Sequence, residues 1–207
     1  MAIAIRPPEQ RILLDNITWE TYESLLQAHC DRSVPRFTYD RGQLEIMSPS
    51  IEHEELKDTV TLLVNTLAEE MGINTRSFGS ATFRRADLQR GFEPDGCFYV
   101  RSVTRIQGRT EPDLTVDPPP DLVIEIDLTS PSLPKFPIFA QLGVPEVWRA
   151  DGSQMHIFCL EGGQYVAHAE SSILIGITAE VITRFVRESY TLDRLTWLHR
   201  VRAWVKQ

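Results

Sequence analysis

Cysteine is scarce in this chain of 207 residues. Cys30, Cys97 and Cys159 are odd in number, widely spaced and without a C-x-x-C pair. That pattern excludes a disulfide framework and leaves reduced thiols, read as small buried apolar residues rather than metal ligands. Long apolar runs are also missing. The longest mostly apolar stretch, Ile173 to Ile182, is too short and too interrupted to span a bilayer, so no membrane partner is expected. Met1 to Gln10 lacks the charged-then-apolar pattern of a secretion signal, and a cytoplasmic location is expected. The tripeptide Asn16-Ile17-Thr18 matches a glycosylation site, which has no meaning without secretion.

Several catalytic signatures are absent too. His53-Glu54-Glu55-Leu56-Lys57 opens like a zinc-protease helix but carries Lys57 where the second histidine must stand. Helical ligands are needed at i and i+4, so this is no zinc site. There is no G-x-S-x-G elbow, Walker loop or G-x-G-x-x-G, and the five histidines do not pair at ligand spacing. Hydrolase triads, nucleotide-phosphate cradles and dinucleotide cofactors are therefore unsupported.

What is present is ordinary globular composition, 42% hydrophobic and 24% charged, enough for a core in one domain spanning 1–207. The net charge of −8 argues against bulk binding of nucleic acid. The charge is segregated, however: 1–75 carries −7, 76–109 carries +4, 110–180 carries −9 and 181–207 carries +4. Such blocks allow a basic surface beside an acidic site that a cation partly neutralises, though scattered solvated charge fits the same counts.

Local patterns give the element order. Thr18 caps a helix to about Ala28 with Leu25 and Leu26 inward. Strands Arg36–Tyr39 and Gln43–Met47 flank Asp40-Arg41-Gly42 as a hairpin. Ser48-Pro49-Ser50 opens a helix in which Leu56, Val60, Leu63, Val64 and Leu67 recur at 3- and 4-residue spacing, ended by Gly72. Strands follow at about Asn74–Gly79, Thr82–Arg85 and Asp95–Arg101, then a loop from Gly108 to Pro120. Leu122 to Ile126 reads as a strand covered on both faces. After Thr129–Pro134 comes a short helix, with Pro137 in its first turn and its end at Gly143. Val147-Trp148-Arg149 is the next strand, expected parallel to the last. A hairpin turns at Glu161-Gly162-Gly163. The tail, 178–207, suggests two helices with Val181, Ile182, Phe185, Leu192, Leu195 and Leu198 inward. The sum is an α/β (α+β) fold with a mixed central sheet flanked by helices.

Four polar residues stand out in this frame: Asp95, Glu125, Asp127 and Lys135. Asp95 sits in Glu93-Pro94-Asp95-Gly96, at the mouth of a strand. Glu125 and Asp127 close an otherwise apolar strand, and side chains at i and i+2 share one face, so the two carboxylates can converge. Burying even a neutral polar group costs roughly 2–7 kcal/mol, so Glu125 needs a partner or a metal. Mg²⁺ is held by one or two carboxylates together with waters and phosphate. Lys135, near the start of the next helix, can turn back toward them and stabilise charge on phosphoryl oxygens. The plainer alternatives are helix capping or arginine pairing by Glu125 and Asp127, and a turn role for Asp95.

These residues lie in recognisable strings. Glu93-Pro94-Asp95, Pro120-Asp121-Leu122-Val123-Ile124-Glu125-Ile126, and Lys135-x₃-Phe139-x₃-Gly143-Val144-Pro145-Glu146-Val147-Trp148 together resemble the Uma-type family of bacterial proteins classed with restriction endonucleases. These belong to the PD-(D/E)xK nuclease superfamily. The resemblance runs from Leu44-Glu45-Ile46-Met47-Ser48-Pro49, with His53 just after, to about 151. It implies a restriction-endonuclease-like fold, with Asp95 and Glu125 as metal ligands and Lys135 as the active-site lysine; Asp127 is expected, from its place beside Glu125, to assist in holding the metal. Two departures stand against the superfamily pattern. Asp127 occupies the place of the usual acidic-x-Lys lysine, and the spacing from Glu125 to Ser130-Pro131-Ser132 is long.

The resemblance further implies a Mg²⁺- or Mn²⁺-dependent endonuclease acting on DNA, with His53 and Glu54 as possible contributors from the long helix. Arg84 and Arg85 are candidates to meet phosphates, but, adjacent on one strand and so facing opposite ways, at most one of them can point in. Trp148 is expected in the core. A homodimer is expected, since two-fold dimers are the commonest oligomers and cutting a duplex favours two sites. The competing reading is a catalytically inactive nucleic-acid- or protein-binding module on the same fold.

Overall fold

A computed structural model describes residues 9–29, 32–128 and 133–207. Cys30 and the Thr129 to Ser132 part of the expected connection lie outside the described residues.

The described strands form two sheets. Strands β1 (Gln10–Leu14), β2 (Arg36–Asp40), β3 (Gln43–Ser48), β5 (Phe83–Arg85) and β6 (Arg90–Phe92) form an antiparallel sheet in the order β1-β3-β2-β6-β5. Strands β4 (Arg76–Ser77), β7 (Gly96–Tyr99), β8 (Leu122–Ile126), β9 (Glu146–Ala150), β10 (Met155–Glu161) and β11 (Gln164–His168) form the larger one, in the order β11-β10-β9-β8-β7-β4. Only β8 and β9 run parallel there, as expected of the strand–helix–strand unit, so this sheet is mixed. Neither β1 nor β6 is evident from the sequence. β6 is three residues long and contains Gly91, where a Cβ would stand 2.3 Å from the Tyr22 hydroxyl oxygen. The close approach of helix to strand, not strand propensity, explains that glycine.

The helices form where their caps and periodicities predict. In α1 (Trp19–Ala28) the Thr18 hydroxyl accepts from the Thr21 N–H at 3.2 Å, and Trp19, Tyr22 and Leu26 pack on Phe37, Tyr39 and Leu44 of the small sheet. In α2 (Ile51–Glu70) Ser50 caps the start. Gly72, at φ +67°, closes the end: its N–H and that of Ile73 bond back to the Glu69 and Ala68 carbonyls, the Schellman arrangement. Leu56, Val60, Leu63, Val64 and Leu67 are all buried. They join α4 (Ala179–Ser189) and α5 (Arg194–Val205) on one face of the mixed sheet, against Leu122, Ile124, Ile126 and Trp148. The short α3 (Phe136–Leu142) covers the other face through Ile138 and Phe139, against Cys97, Tyr99, Val123 and Val147. Trp148 and both described cysteines are core residues.

One inward assignment is corrected. Leu195 is 70% exposed, because α5 turns Trp197 and Val201 inward and a residue two positions from Trp197 falls nearly opposite it.

Candidate active site

Alternation along β8 creates the site. Leu122, Ile124 and Ile126 face α2, α4 and α5, which leaves Val123 and Glu125 on the face covered by α3. Glu125 is therefore a carboxylate carried into the sheet by the apolar run around it, and it is 6% exposed. Asp95 immediately precedes β7, whose Gly96 is registered opposite Ile124, so the two acids meet at neighbouring strand ends. The Asp95 Oδ2 accepts from the Ile126 N–H at 2.6 Å, which fixes it across the strand end.

The other Asp95 oxygen is enclosed by cations. His53, fully buried on the first turn of α2, approaches Oδ1 through Nε2 at 2.7 Å, and the Arg36 guanidinium donates to the same oxygen. The far ring nitrogen of His53 lies 2.7 Å from Glu9 Oε2. Burial opposes charging the ring, but the hydrogen bonds to Asp95 and Glu9 outweigh it and raise its pKa to about 9. Both ring nitrogens then donate, as an imidazolium must. Burial would raise the Asp95 pKa, yet His53 and Arg36 hold it below the usual carboxylate range.

Glu125 is less completely satisfied. Lys135, at the N-terminal boundary of α3, reaches back so that Nζ lies 2.5 Å from Oε2. The Oε1 atom is buried without a hydrogen-bond partner among the described residues. Burial and the neighbouring Asp95 push the Glu125 pKa up, against the pull of Lys135. Lys135 sees both acids, and their attraction overcomes its own burial, so it stays charged.

Glu125 and Lys135 line a cleft of about 370 Å³ together with Arg11, Asp127, Phe136 and Arg149, while Asp95 lies behind them, buried and outside the lining. Asp127 shares this cleft with Glu125, but its carboxylate accepts from Arg149, and Arg11 lies 4.0 Å from its other oxygen. Glu54, more exposed, bonds Arg36 at 2.5 Å and Lys57 at 2.6 Å, so it touches the site only through Arg36. Arg84 and Arg85 do not line the cleft: Arg84 pairs with Glu23 and Arg85 with Asp87.

Sequence reasoning missed four supporting residues: Glu9, Arg11, Arg36 and Glu45. Arg11 donates to Glu9 at 2.6 Å and Glu45 at 3.2 Å, and Glu45 also accepts from the Leu133 N–H at 2.9 Å. Arg36 and Glu45 carried a weak signal, as charges inside strands of otherwise buried residues. Their partners are remote in sequence and left none.

Among the described residues no three His, Cys, Asp or Glu side chains are gathered into a ready-made metal cage. Mg²⁺ does not need one, since it keeps waters and binds through one or two carboxylates. The orphaned Glu125 Oε1, beside Asp95, is the kind of oxygen such an ion takes up. The donor set fits.

The Uma2 family, described as "Putative restriction endonuclease", matches residues 19–173, beyond both ends of the motif-bearing stretch. No curated protein sequence matches the chain at a significant level. Among solved structures, the fold is similar to that of "a putative nuclease belonging to DUF820" from Anabaena variabilis. The TM-score is 0.56 at 14% identity, over 82% of this chain and 99% of that one. No helix among the described residues is long and apolar enough to cross a membrane. With its paired acids and lysine on a mixed sheet, and with three quarters of its length matched by the family model, the chain belongs to the Uma2 family.

Proposed function

We propose that the chain is a Mg²⁺- or Mn²⁺-dependent endonuclease that hydrolyses phosphodiester bonds of DNA. The observation that carries this reading is Glu125, buried beside Asp95 with one oxygen on Lys135 and the other unpartnered among the described residues, in the lining of an open cleft. A carboxylate in that condition is costly unless a further cation completes it.

Asp95 and Glu125 would hold the ion. When bound, it supplies Lewis acidity toward a phosphoryl oxygen and acidifies a coordinated water. The chain's own residues do the rest. His53 and Arg36 keep Asp95 ionised and aimed, and the Ile126 N–H fixes its second oxygen. Lys135 presents an ammonium where charge builds on the non-bridging oxygens during in-line attack by water. Phe139 and Leu133 form apolar wall in the cleft, which limits water around that charge.

One feature favours the competing binding-module reading: Arg36 and His53 already balance Asp95. Incubation of supercoiled plasmid with the purified protein separates the two. Nicking that requires Mg²⁺ or Mn²⁺, stops with EDTA and disappears in Glu125→Gln supports the nuclease; a Glu125→Gln protein that cuts as fast as wild type overturns it. A homodimer that presents two clefts to a duplex is part of the same proposal. Sedimentation that gives only monomer at micromolar concentration would remove that part.

A further inference from the structure

Among the described residues, Arg36, Arg11 and Arg149 stand around the site, and they differ in how their charge is committed. Arg36 is buried and spent on Asp95 and Glu54. Arg11 is nearly buried and spent on Glu9 and Glu45. The Arg149 side chain is 40% exposed and bonds Asp127 at the cleft. Its guanidinium carbon sits 6.0 Å from the centroid of the Phe136 ring. Glu125 and Arg149 are registered across the parallel β8–β9 pair, so their side chains leave the same face of the sheet. Asp127, two residues beyond Glu125, shares it.

We infer that Arg149 takes a phosphate of the nucleic-acid strand next to the bond being cut, and that Asp127 is its resting partner rather than a metal ligand. This rests on the nuclease reading of the same cleft. A guanidinium fork matches two phosphate oxygens, whereas Asp127 is engaged through Oδ2 alone. Because the pair is partly solvated, opening it costs little. Asp127 is not abandoned when Arg149 leaves, since Arg11 stays near Oδ1, anchored by Glu9 and Glu45. The Phe136 ring, packed against Phe158 and Tyr165, keeps the guanidinium at the cleft by cation–π attraction. Arg84 and Arg85 have no such adjacency to Glu125.

Two measurements on folded variants test this. The first is binding of a labelled DNA duplex in Ca²⁺ from about 50 to about 200 mM salt. Arg149→Gln is expected to weaken binding about tenfold and to reduce the slope of log affinity against log salt by about one. Arg200→Gln, which removes the same unit of charge from the exposed side of α5, is expected to do neither. Asp127→Asn is expected to bind DNA a few-fold more tightly, because Arg149 is released. The second is Mn²⁺ affinity by electron paramagnetic resonance without DNA. It is expected to persist in Arg149→Gln and Asp127→Asn and to fall in Glu125→Gln. A wild-type affinity and salt slope in Arg149→Gln overturns the phosphate role while the nuclease reading stands. Loss of Mn²⁺ in Asp127→Asn, to the extent seen in Glu125→Gln, makes Asp127 a ligand and overturns its role as resting partner. If the wild-type protein binds Mn²⁺ but no DNA, the nuclease reading fails and the phosphate role with it.

Discussion

Two glutamates stand at opposite ends of the same pair of parallel strands and live in opposite conditions. Glu146, at the start of β9, is fully buried and fully satisfied. Its Oε1 accepts from the Trp148 indole and the Ser171 hydroxyl at 2.6 Å each, and its Oε2 from the Ser172 N–H at 2.7 Å and hydroxyl at 2.8 Å. Glu125, near the end of β8, has Lys135 on one oxygen and, among the described residues, no partner for the other. Both are buried acids in one sheet, so burial alone does not separate structure from chemistry. Saturation does. Glu146 ties the segment around 171–172 to the sheet and has no capacity left, while Glu125, which lines the cleft, keeps an oxygen without a hydrogen-bond partner among the described residues.

The sharpest way to break this contrast is to remove the charge at each position. Glu125→Gln nearly preserves shape, and plasmid cleavage is expected to be abolished through lost metal affinity, with a thermal transition close to wild type. Lys135→Ala is expected to keep Mn²⁺ binding and lose about 10²–10³ in cleavage rate, the value of one well-placed charge donor, about 2.7–4 kcal/mol. Single-turnover kinetics at saturating metal check this. A rate within a factor of two of wild type would remove Lys135 from the chemistry.

Glu146→Ala is expected to do the reverse. It strands the Trp148, Ser171 and Ser172 donors, at about 1–3 kcal/mol for each group left unsatisfied. A destabilisation of about 3 kcal/mol lowers the melting temperature by about 6–12 °C in a chain of this size. Any cleavage measured well below that lowered transition should remain. An unchanged melting temperature would mean that the Glu146 network stabilises little, and the contrast would lose its structural half.

The sequence was most legible where local chemistry decides. Thr18, Ser50 and Gly72 marked helix ends, Arg41-Gly42 and Gly162-Gly163 marked hairpins through their positive φ, and the 122–126 run named the central strand. Asp95, Glu125 and Lys135 could be picked out because charges beside an apolar strand demand partners. What stayed hidden depends on distant pairing. The small sheet needs β1 laid against β3 and β6 against β2, and neither strand carries a pattern strong enough to announce it. Arg36 meets Asp95 across 59 positions, and Glu45 meets the Leu133 N–H across 88. Glu146 was legible only as part of a family string, since its donors come from three separate parts of the chain, Trp148, Cys159 and Ser171–Ser172.

A third acid, Asp40, is the intermediate case and gives the smallest effect. It closes β2 opposite Arg90 of β6, and its Oδ1 accepts from Arg90 at 2.8 Å and from Arg41 at 2.9 Å. Arg90 also donates to the Pro137 carbonyl at 3.3 Å, so the pair links the small sheet to the helix that begins beside Lys135. Burial alone would raise the Asp40 pKa, but Arg90 and then Arg41 outweigh it and the pKa is lowered. A carboxyl depressed in the fold stabilises it fully above the unfolded value of about 3.9, and that stability is lost as pH falls through the folded value. Asp40→Asn is therefore expected to cost about 1 kcal/mol at pH 7, the scale of a partly solvated ion pair. The difference from wild type should shrink below about pH 4, where the wild-type carboxyl also takes up its proton. Urea melts of both proteins from neutral pH into this acid range measure it. If the two midpoints stay equally far apart across the range, Asp40 acts through shape and hydrogen bonding rather than charge, and it belongs with Glu146 as a purely structural acid.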